Sequence, residues 1–137
     1  MSVVIADESV MRQLLQSART IAVVGHSDKP HRTSYQIAQY LRRQGYQVYP
    51  VNPTVQTIDG ETAYPSVQAI PEQVDIVNVF RRSEFLMDVV EDAIAAGARA
   101  VWTQLGVVDE AAALKATEAG LTVVMNRCIK VEHMRLL

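Results

Sequence analysis

Apolar positions along the chain gather into five short runs separated by longer amphipathic stretches. The runs are "TIAVVG" (20–25), "YQVYPV" (46–51), "VDIVNVF" (74–80), "RAVWTQ" (99–104) and "LTVVM" (121–125). They are rich in β-branched residues and almost continuous in apolar character, the pattern of strands covered on both faces. Between them apolar residues recur at helical spacing. These are Ile37, Tyr40 and Leu41 in 34–44, then Leu86, Val89, Val90, Ala93 and Ile94 in 84–97, then an Ala-rich stretch around Leu114 in 110–119. Ser83 and Asp109 stand where N-caps belong, and Gly45, Gly97 and Gly120 stand just past helix ends. Thr33 and Gln36 match a capping box, which predicts a helix start near residue 34. A further amphipathic helix is expected over 7–18, and "CIKVEHMRLL" reads as a closing turn or short helix.

Segment 52–73, "NPTVQTIDGETAYPSVQAIPEQ", breaks the alternation and carries three of the five prolines. It reads as a long loop with one helical turn, and loops of this length in compact domains are usually functional or mobile. Elsewhere strand and helix alternate, which implies a parallel sheet with right-handed crossovers. The expected fold is therefore α/β: a single Rossmann-like, doubly wound domain over 1–137. Its five-stranded parallel sheet is expected in the order 3-2-1-4-5, with helices on both faces.

Composition narrows the class. The chain has 137 residues, the size of one domain, with 49% hydrophobic and 20% charged residues. A net charge of −2 and a pI near 5.9 give no broad footprint for nucleic acid or membrane. Cys128 is the sole cysteine, which rules out an intrachain disulfide and fits a reducing compartment. The N-terminal "MSVVIADESVMRQ" lacks a leader pattern, and no run approaches the ~18 apolar residues of a membrane span. The expectation is a cytoplasmic protein with a small-molecule partner and no nucleic-acid or membrane partner; homodimer formation is left open.

In open α/β sheets, ligands bind beyond the carboxyl ends of the strands. The five exits are Gly25-His26-Ser27, Asn52-Pro53, Phe80-Arg81-Arg82, Gln104 and Asn126-Arg127-Cys128, with a polar or small residue at each. The first, "VVGHSDKPHRTSYQ" (23–36), is the most informative. Gly25 permits a sharp turn and close backbone approach. The predicted helix start offers free N–H groups and a positive dipole end to an anion. Ser27 and Ser34 add hydroxyls, while Lys29 and Arg32 are placed to meet phosphate charge. The nicotinamide fingerprint G-x-G-x-x-G is missing, no carboxylate follows the second strand, and there is no P-loop, so NAD is disfavoured. No nucleophile constellation or zinc spacing occurs, and no catalytic or metal-ligating residue is assigned.

The stretches "VVGHSDKPHRTS", "GYQVYPVNP", "VDIVNVFRRSE", "VWTQLGV" and "GLTVVMNRC", in this order and spacing, resemble the small stand-alone CoA-binding proteins of bacteria. The resemblance covers roughly residues 15–135, and the same fold forms the CoA-binding domain of succinyl-CoA synthetase alpha subunits. It implies coenzyme A as the ligand. Gly25, Ser27, Arg32 and Ser34 would face its phosphates, Asn52 and Pro53 would line the nucleotide side, and Phe80 and Arg81 would line its path across the third strand. His26 departs from a pattern in which that position is small, and would crowd the pyrophosphate or hydrogen-bond to it. The larger relatives use a histidine in a separate domain, and this chain ends before such a domain could begin, so the resemblance supports binding without an active site.

Other residues have plainer readings. Cys128 is taken as a small side chain in a tight turn, with a mixed disulfide to CoA, favoured by Arg127, as the alternative. His31 is an exposed or ligand-contacting group, His133 a tail residue, and Trp102 and Tyr40 packing residues. Glu84, Glu91 and Asp92 are read as a solvated helix face. The expected function is binding or sensing of CoA or an acyl-CoA, more a binder than an enzyme. The alternatives are a small NAD(P)- or flavin-dependent oxidoreductase, a CoA-binding subunit of an acyl-CoA-processing enzyme, or an interaction module.

Overall fold

The computed structural model describes residues 6–137. The first five residues, part of the N-terminal stretch read above for a leader, lie outside it. The chain runs α1 (Glu8–Ser17), β1 (Thr20–Val24), α2 (Thr33–Arg43), β2 (Gln47–Val51), β3 (Thr57–Ile58), β4 (Glu61–Thr62), β5 (Ile76–Val79), a 3-10 turn (Ser83–Phe85), α3 (Leu86–Ala95), β6 (Ala100–Thr103), α4 (Glu110–Glu118), β7 (Thr122–Val124) and α5 (Ile129–Leu136). Each predicted strand is present, trimmed by one to three residues. Strands β1, β5 and β6 are buried along their whole length, which is why they read as continuous apolar runs.

The main sheet is parallel, in the order β2-β1-β5-β6-β7. Alternate strand residues feed two cores. Ala22, Val24, Val77, Val79 and Val101 pack under α3 and α4. Ile21, Val23, Ile76, Trp102 and Val124 pack under α1, α2 and α5. The fold is the expected Rossmann-like α/β domain, but its strand order corrects the expected 3-2-1-4-5. Counting only the five main strands, the order is 2-1-3-4-5, because β5 pairs with β1 (Ile21↔Ile76, Val24↔Val79) rather than with β2. Pro50 gives the physical reason. It has no N–H for a ladder, so a strand holding it inside its span belongs at a sheet edge. On that outer side, Pro50 O accepts from Tyr64 N at 2.9 Å, and Asn52 N donates to Tyr64 O at 2.9 Å.

Segment 52–73 is more ordered than a loop. It contains the β3–β4 hairpin, turned at Asp59 (φ 50°) and Gly60 (φ 80°), and Tyr64 forms a bridge with Val51. Val67 and Ile70 are buried in the first core, so this segment covers a sheet face that a helix would otherwise cover. Asp92 anchors it by accepting from Val67 N at 2.7 Å and Gln68 N at 3.1 Å, which corrects its reading as a solvated residue. Glu84 and Glu91 do pair with exposed basic partners, Arg82 and Lys115.

The helix ends are mixed. Asp109 caps α4 as expected, accepting from Ala112 N. Ser83 caps nothing; its hydroxyl donates to Gly106 O at 3.2 Å and accepts from Val108 N at 2.8 Å, tying the turn after β5 to the loop after β6. His133 is not a loose tail residue. It is buried on α5, with Nδ1 2.7 Å from the Tyr40 hydroxyl and the edges of Tyr40 and Tyr46 against its ring.

Because Asp92 satisfies two backbone donors at once, Asp92→Ala is expected to lower unfolding stability by about 1–3 kcal/mol. It should also expose 63–70 to proteolysis. Urea unfolding with limited proteolysis checks this; a change under about 0.5 kcal/mol, the range of an ordinary surface substitution, would contradict the anchoring role.

Candidate functional site

The order 2-1-3 sends the chain one way from β1 to β2 and sets β5 on the other side, so the crevice above β1 and β5 is a topological switch point. Gly25 sits in this crevice with φ 88°, its N–H donating to Val51 O at 2.9 Å. A Cβ built there would lie 3.0 Å from Phe80 O. Glycine therefore serves twice, in the left-handed turn and in the close approach of the two strand ends.

From Gly25 the chain passes through Ser27, Asp28 and Lys29 to the start of α2. An open cleft of about 450 Å³ lies here, lined by Gly25, Ser27, Asp28, Lys29, Arg32, Thr33, Ser34, Asn52, Thr54 and Phe80. Ser34 is buried at its base, and its Oγ accepts from Ser27 N at 2.9 Å. Lys29 N donates to Ser27 Oγ at 3.0 Å, so the loop is internally cross-braced. The expected capping box does not form. The N-cap of α2 is Arg32, which makes no side-chain cap hydrogen bond, and the Gln36 side chain reaches Pro30 O instead. The reason is that Thr33 is already the first helical residue, one position too late to cap. The first-turn N–H groups thus keep their donor capacity and face a cleft bordered by Lys29 and Arg32.

Most of the predicted positions meet in this cleft: Gly25, Ser27, Lys29, Arg32, Ser34, Asn52 and Phe80. Pro53 and Arg81 line a smaller cavity of about 140 Å³ on the other side of the crevice, with Val24, Val51, Pro65 and Val89. The Arg81 guanidinium lies 4.5 Å from the centre of the Phe85 ring, which holds it beside that cavity. Gln104 is at its strand exit but lines neither cavity, and its Oε1 is buried without a partner.

His26 does not enter the cleft. Its side chain is fully buried, with Nδ1 2.7 Å from Ser27 O and Nε2 3.3 Å from Arg42 Nη2. Burial holds its pKa below the ordinary 6.5, the Ser27 carbonyl opposes that, and the Arg42 guanidinium adds to it. Its side chain therefore neither crowds nor bonds a ligand in the cleft. Cys128 is half-buried at the N-cap of α5, and the Arg127 guanidinium pairs with Glu132 at 3.5 Å.

Asp28, Thr33 and Thr54 were missed as lining residues. For Thr54 a signal existed in "NPT": Asn52 Oδ1 accepts from Thr54 N at 2.9 Å and from Thr54 Oγ1 at 2.7 Å, an Asx turn. Asn52 Nδ2 also donates to His26 O at 2.9 Å, joining the exits of β2 and β1. Among the described residues no group of His, Cys, Asp and Glu is arranged to hold a metal, and no helix is long and apolar enough to cross a membrane.

A larger groove, about 740 Å³, lies at the opposite end of the sheet, lined by Arg19, Gln47, Tyr49, Glu72 and His133 among others. It contains Gln44 and Gly45, at the C-terminal and hence negative end of α2, which disfavours a phosphate there.

A family model for the CoA binding domain matches residues 19–134. The chain belongs to this CoA-binding domain family. Within and around it, the uncharacterized protein YneT of Bacillus subtilis is 44% identical over 123 residues, spanning 90% of this chain and 91% of its own. A hypothetical protein from Pyrococcus horikoshii of solved structure superposes with a TM-score of 0.92 at 41% identity, covering 96% of this chain and 92% of that one. The alpha subunit of ADP-forming acetate–CoA ligase II from Pyrococcus furiosus is 33% identical over 84 residues; the match covers 61% of this chain and 18% of the ligase subunit.

Gly25→Ala forces an alanine into the left-handed region and its methyl against the Phe80 carbonyl. The expected cost is about 1–2 kcal/mol for the conformation alone, with the contact adding to it. Chemical denaturation measures this, and stability equal to wild type would show that the crevice is not as tight as described.

Proposed function

We propose that this protein binds coenzyme A or an acyl-CoA across the β1–β5 crevice, as a binder or sensor without catalysis of its own. The first-turn N–H groups of α2, Ser27 and Ser34 hydrogen-bond the phosphates, and Arg32 and Lys29 balance their charge. Asn52 and Pro53 flank the nucleotide, and Phe80 and Arg81 line the ligand's course over β5. The observation that carries this reading is the coincidence of an uncapped helix start with two basic residues at the switch point of a CoA-binding domain. The end of β2 agrees with it: Asn52, Pro53 and Thr54 stand where a nicotinamide site wants a carboxylate for the ribose.

A second reading is favoured by the ligase similarity, namely that the domain supplies CoA to an acyl-CoA-processing partner. It uses the same cleft and differs only in what acts on the bound thiol.

Arg32 is exposed and carries no core contact, so Arg32→Ala is expected to weaken CoA binding roughly tenfold or more, the loss of a charge-assisted phosphate contact, with unfolding stability unchanged. Calorimetry with CoA, acetyl-CoA, NADPH and FMN on both proteins tests it. Saturable binding of CoA or acetyl-CoA alone, weakened by the substitution, supports the reading. Binding of NADPH or FMN in place of CoA, or an Arg32→Ala protein that binds CoA as wild type does, refutes it.

A further inference from the structure

Beneath the phosphate loop lies a polar assembly that the ligand contacts do not use. Both ring nitrogens of the buried His26 are engaged, Nδ1 with Ser27 O and Nε2 with Arg42. A carbonyl only accepts and a guanidinium only donates, so the ring is neutral with its proton on Nδ1. Tyr35 meets the ring edge-on at 5.9 Å between centroids. Arg42 continues to Glu61 of the β3–β4 hairpin at 3.7 Å, and the Tyr35 hydroxyl donates to Asp59 at the hairpin turn. The β1 exit and α2 therefore meet at the imidazole, the hairpin joins them through Arg42 and Tyr35, and the β2 exit is tied to the His26 backbone through Asn52.

We propose that His26 is a positioning residue for the ligand's phosphates: its Nδ1–H draws the Ser27 carbonyl inward and so turns the Asp28 N–H into the cleft. Peptide geometry carries the argument. In a trans peptide the C=O and the following N–H point in opposite directions, and no described peptide is cis. With Ser27 O held by the buried ring, the Asp28 N–H faces away from it, on the side where Asp28 and Lys29 line the cleft. Ser27 N is fixed in turn by Ser34 Oγ, so both peptides flanking Ser27 have a set orientation. Arg42 locks the tautomer that can donate to Ser27 and links it to the hairpin. The role rests on the phosphate site proposed above. It goes beyond the resemblance, which has a small residue at this position.

The arrangement has a pH signature. A proton on Nε2 sets an imidazolium against Arg42, two donors of like charge with no acceptor between them. The other groups around the ring are Tyr35 on α2 and Asp59 and Glu61 on the hairpin; Asp59 favours the charged ring, but burial outweighs it and keeps the pKa below 6.5. The Nε2 contact with Arg42 is therefore complete above 6.5 and is lost as pH falls through the lower value of the folded state; Nδ1 keeps its proton, so acidification acts by releasing the ring from its Arg42 anchor.

The test is calorimetric titration with CoA at about pH 7.5 and at a pH below the folded-state titration of the His26 ring, located by that ring's own resonance. It compares wild type, His26→Ala and His26→Asn, the last keeping an amide donor near the Nδ1 position without titrating. Phosphate groups of the ligand also titrate in this interval, and His26→Asn reports that part alone. The expected result at the higher pH is roughly tenfold weaker binding by His26→Ala, about one hydrogen bond, with most of the loss restored in His26→Asn. On acidification wild type should lose more affinity than His26→Asn. In ligand-free protein, the Asp28 amide resonance should move with the His26 titration in wild type and stay still in His26→Asn. Equal pH losses in the two proteins, wild-type affinity in His26→Ala, or an Asp28 amide blind to the His26 titration would each overturn the proposal. If His26→Ala does not fold, the other two proteins decide. Failure of wild type to bind CoA at the higher pH refutes the ligand reading instead, and the Asp28 amide then still tests the peptide geometry.

Discussion

For a ligand to lie across this sheet, the backbone after β1 has to turn away while passing within contact of the end of β5. Gly25 alone meets both demands: its positive φ makes the turn, and its missing Cβ leaves room for the Phe80 carbonyl. Everything at the candidate site follows from that passage. It directs Ser27 to Arg32 over the crevice, delivers the chain to the start of α2 above β1, and leaves the exits of β2 and β5 on either side. The strand order matters for the same reason. With β5 beside β1, the crevice opens between strands whose connections leave in different directions, whereas a neighbouring pair joined by one crossover would be roofed by its own connection.

Local charge and not the net charge is what suits the cleft to an anion. The chain carries −2 overall, yet Lys29, Arg32 and the uncapped first turn of α2 meet at one cleft. The α2 axis also orders the two grooves of the molecule electrostatically. Its positive end faces the cleft at the carboxyl edge of the sheet and its negative end lies in the larger groove at the opposite edge, so groove size and electrostatic suitability for a phosphate point to different places. Segment 52–73 joins the two ends of α2, through Tyr35–Asp59 near the start and Arg42–Glu61 near the end. The hairpin is thus braced along the helix whose N-terminus forms the cleft.

The strands were legible because both faces of the sheet are covered, which makes Ile21–Val24 or Ile76–Val79 apolar at every position but Asn78. The helix ends at Gly45, Gly97 and Gly120 were legible because a left-handed residue there has few substitutes. Pairing was less so. Pro50 marks β2 as an edge strand, and weighing that one residue would have favoured the observed order over 3-2-1-4-5. Where a residue's partner is distant in sequence, local pattern misled: Asp92 looks like any acidic residue on a helix, and its partners Val67 and Gln68 lie 24 or 25 positions away. At the site, the loop residues were readable from their place at strand exits. The inward turn of His26 was not, since a polar residue after a strand carries no mark of which way it faces until Arg42 and Ser27 are seen around it.

An amide chemical-shift titration with CoA measures directly where the ligand sits. Binding in the β1–β5 crevice should concentrate the shifts at Gly25–Ser34, Asn52, Thr54, Phe80 and Arg81, with Arg19, Gln47 and Asp75 at the opposite edge unmoved. Shifts centred on Arg19, Gln47 and His133, or no shifts at saturating CoA, would contradict it.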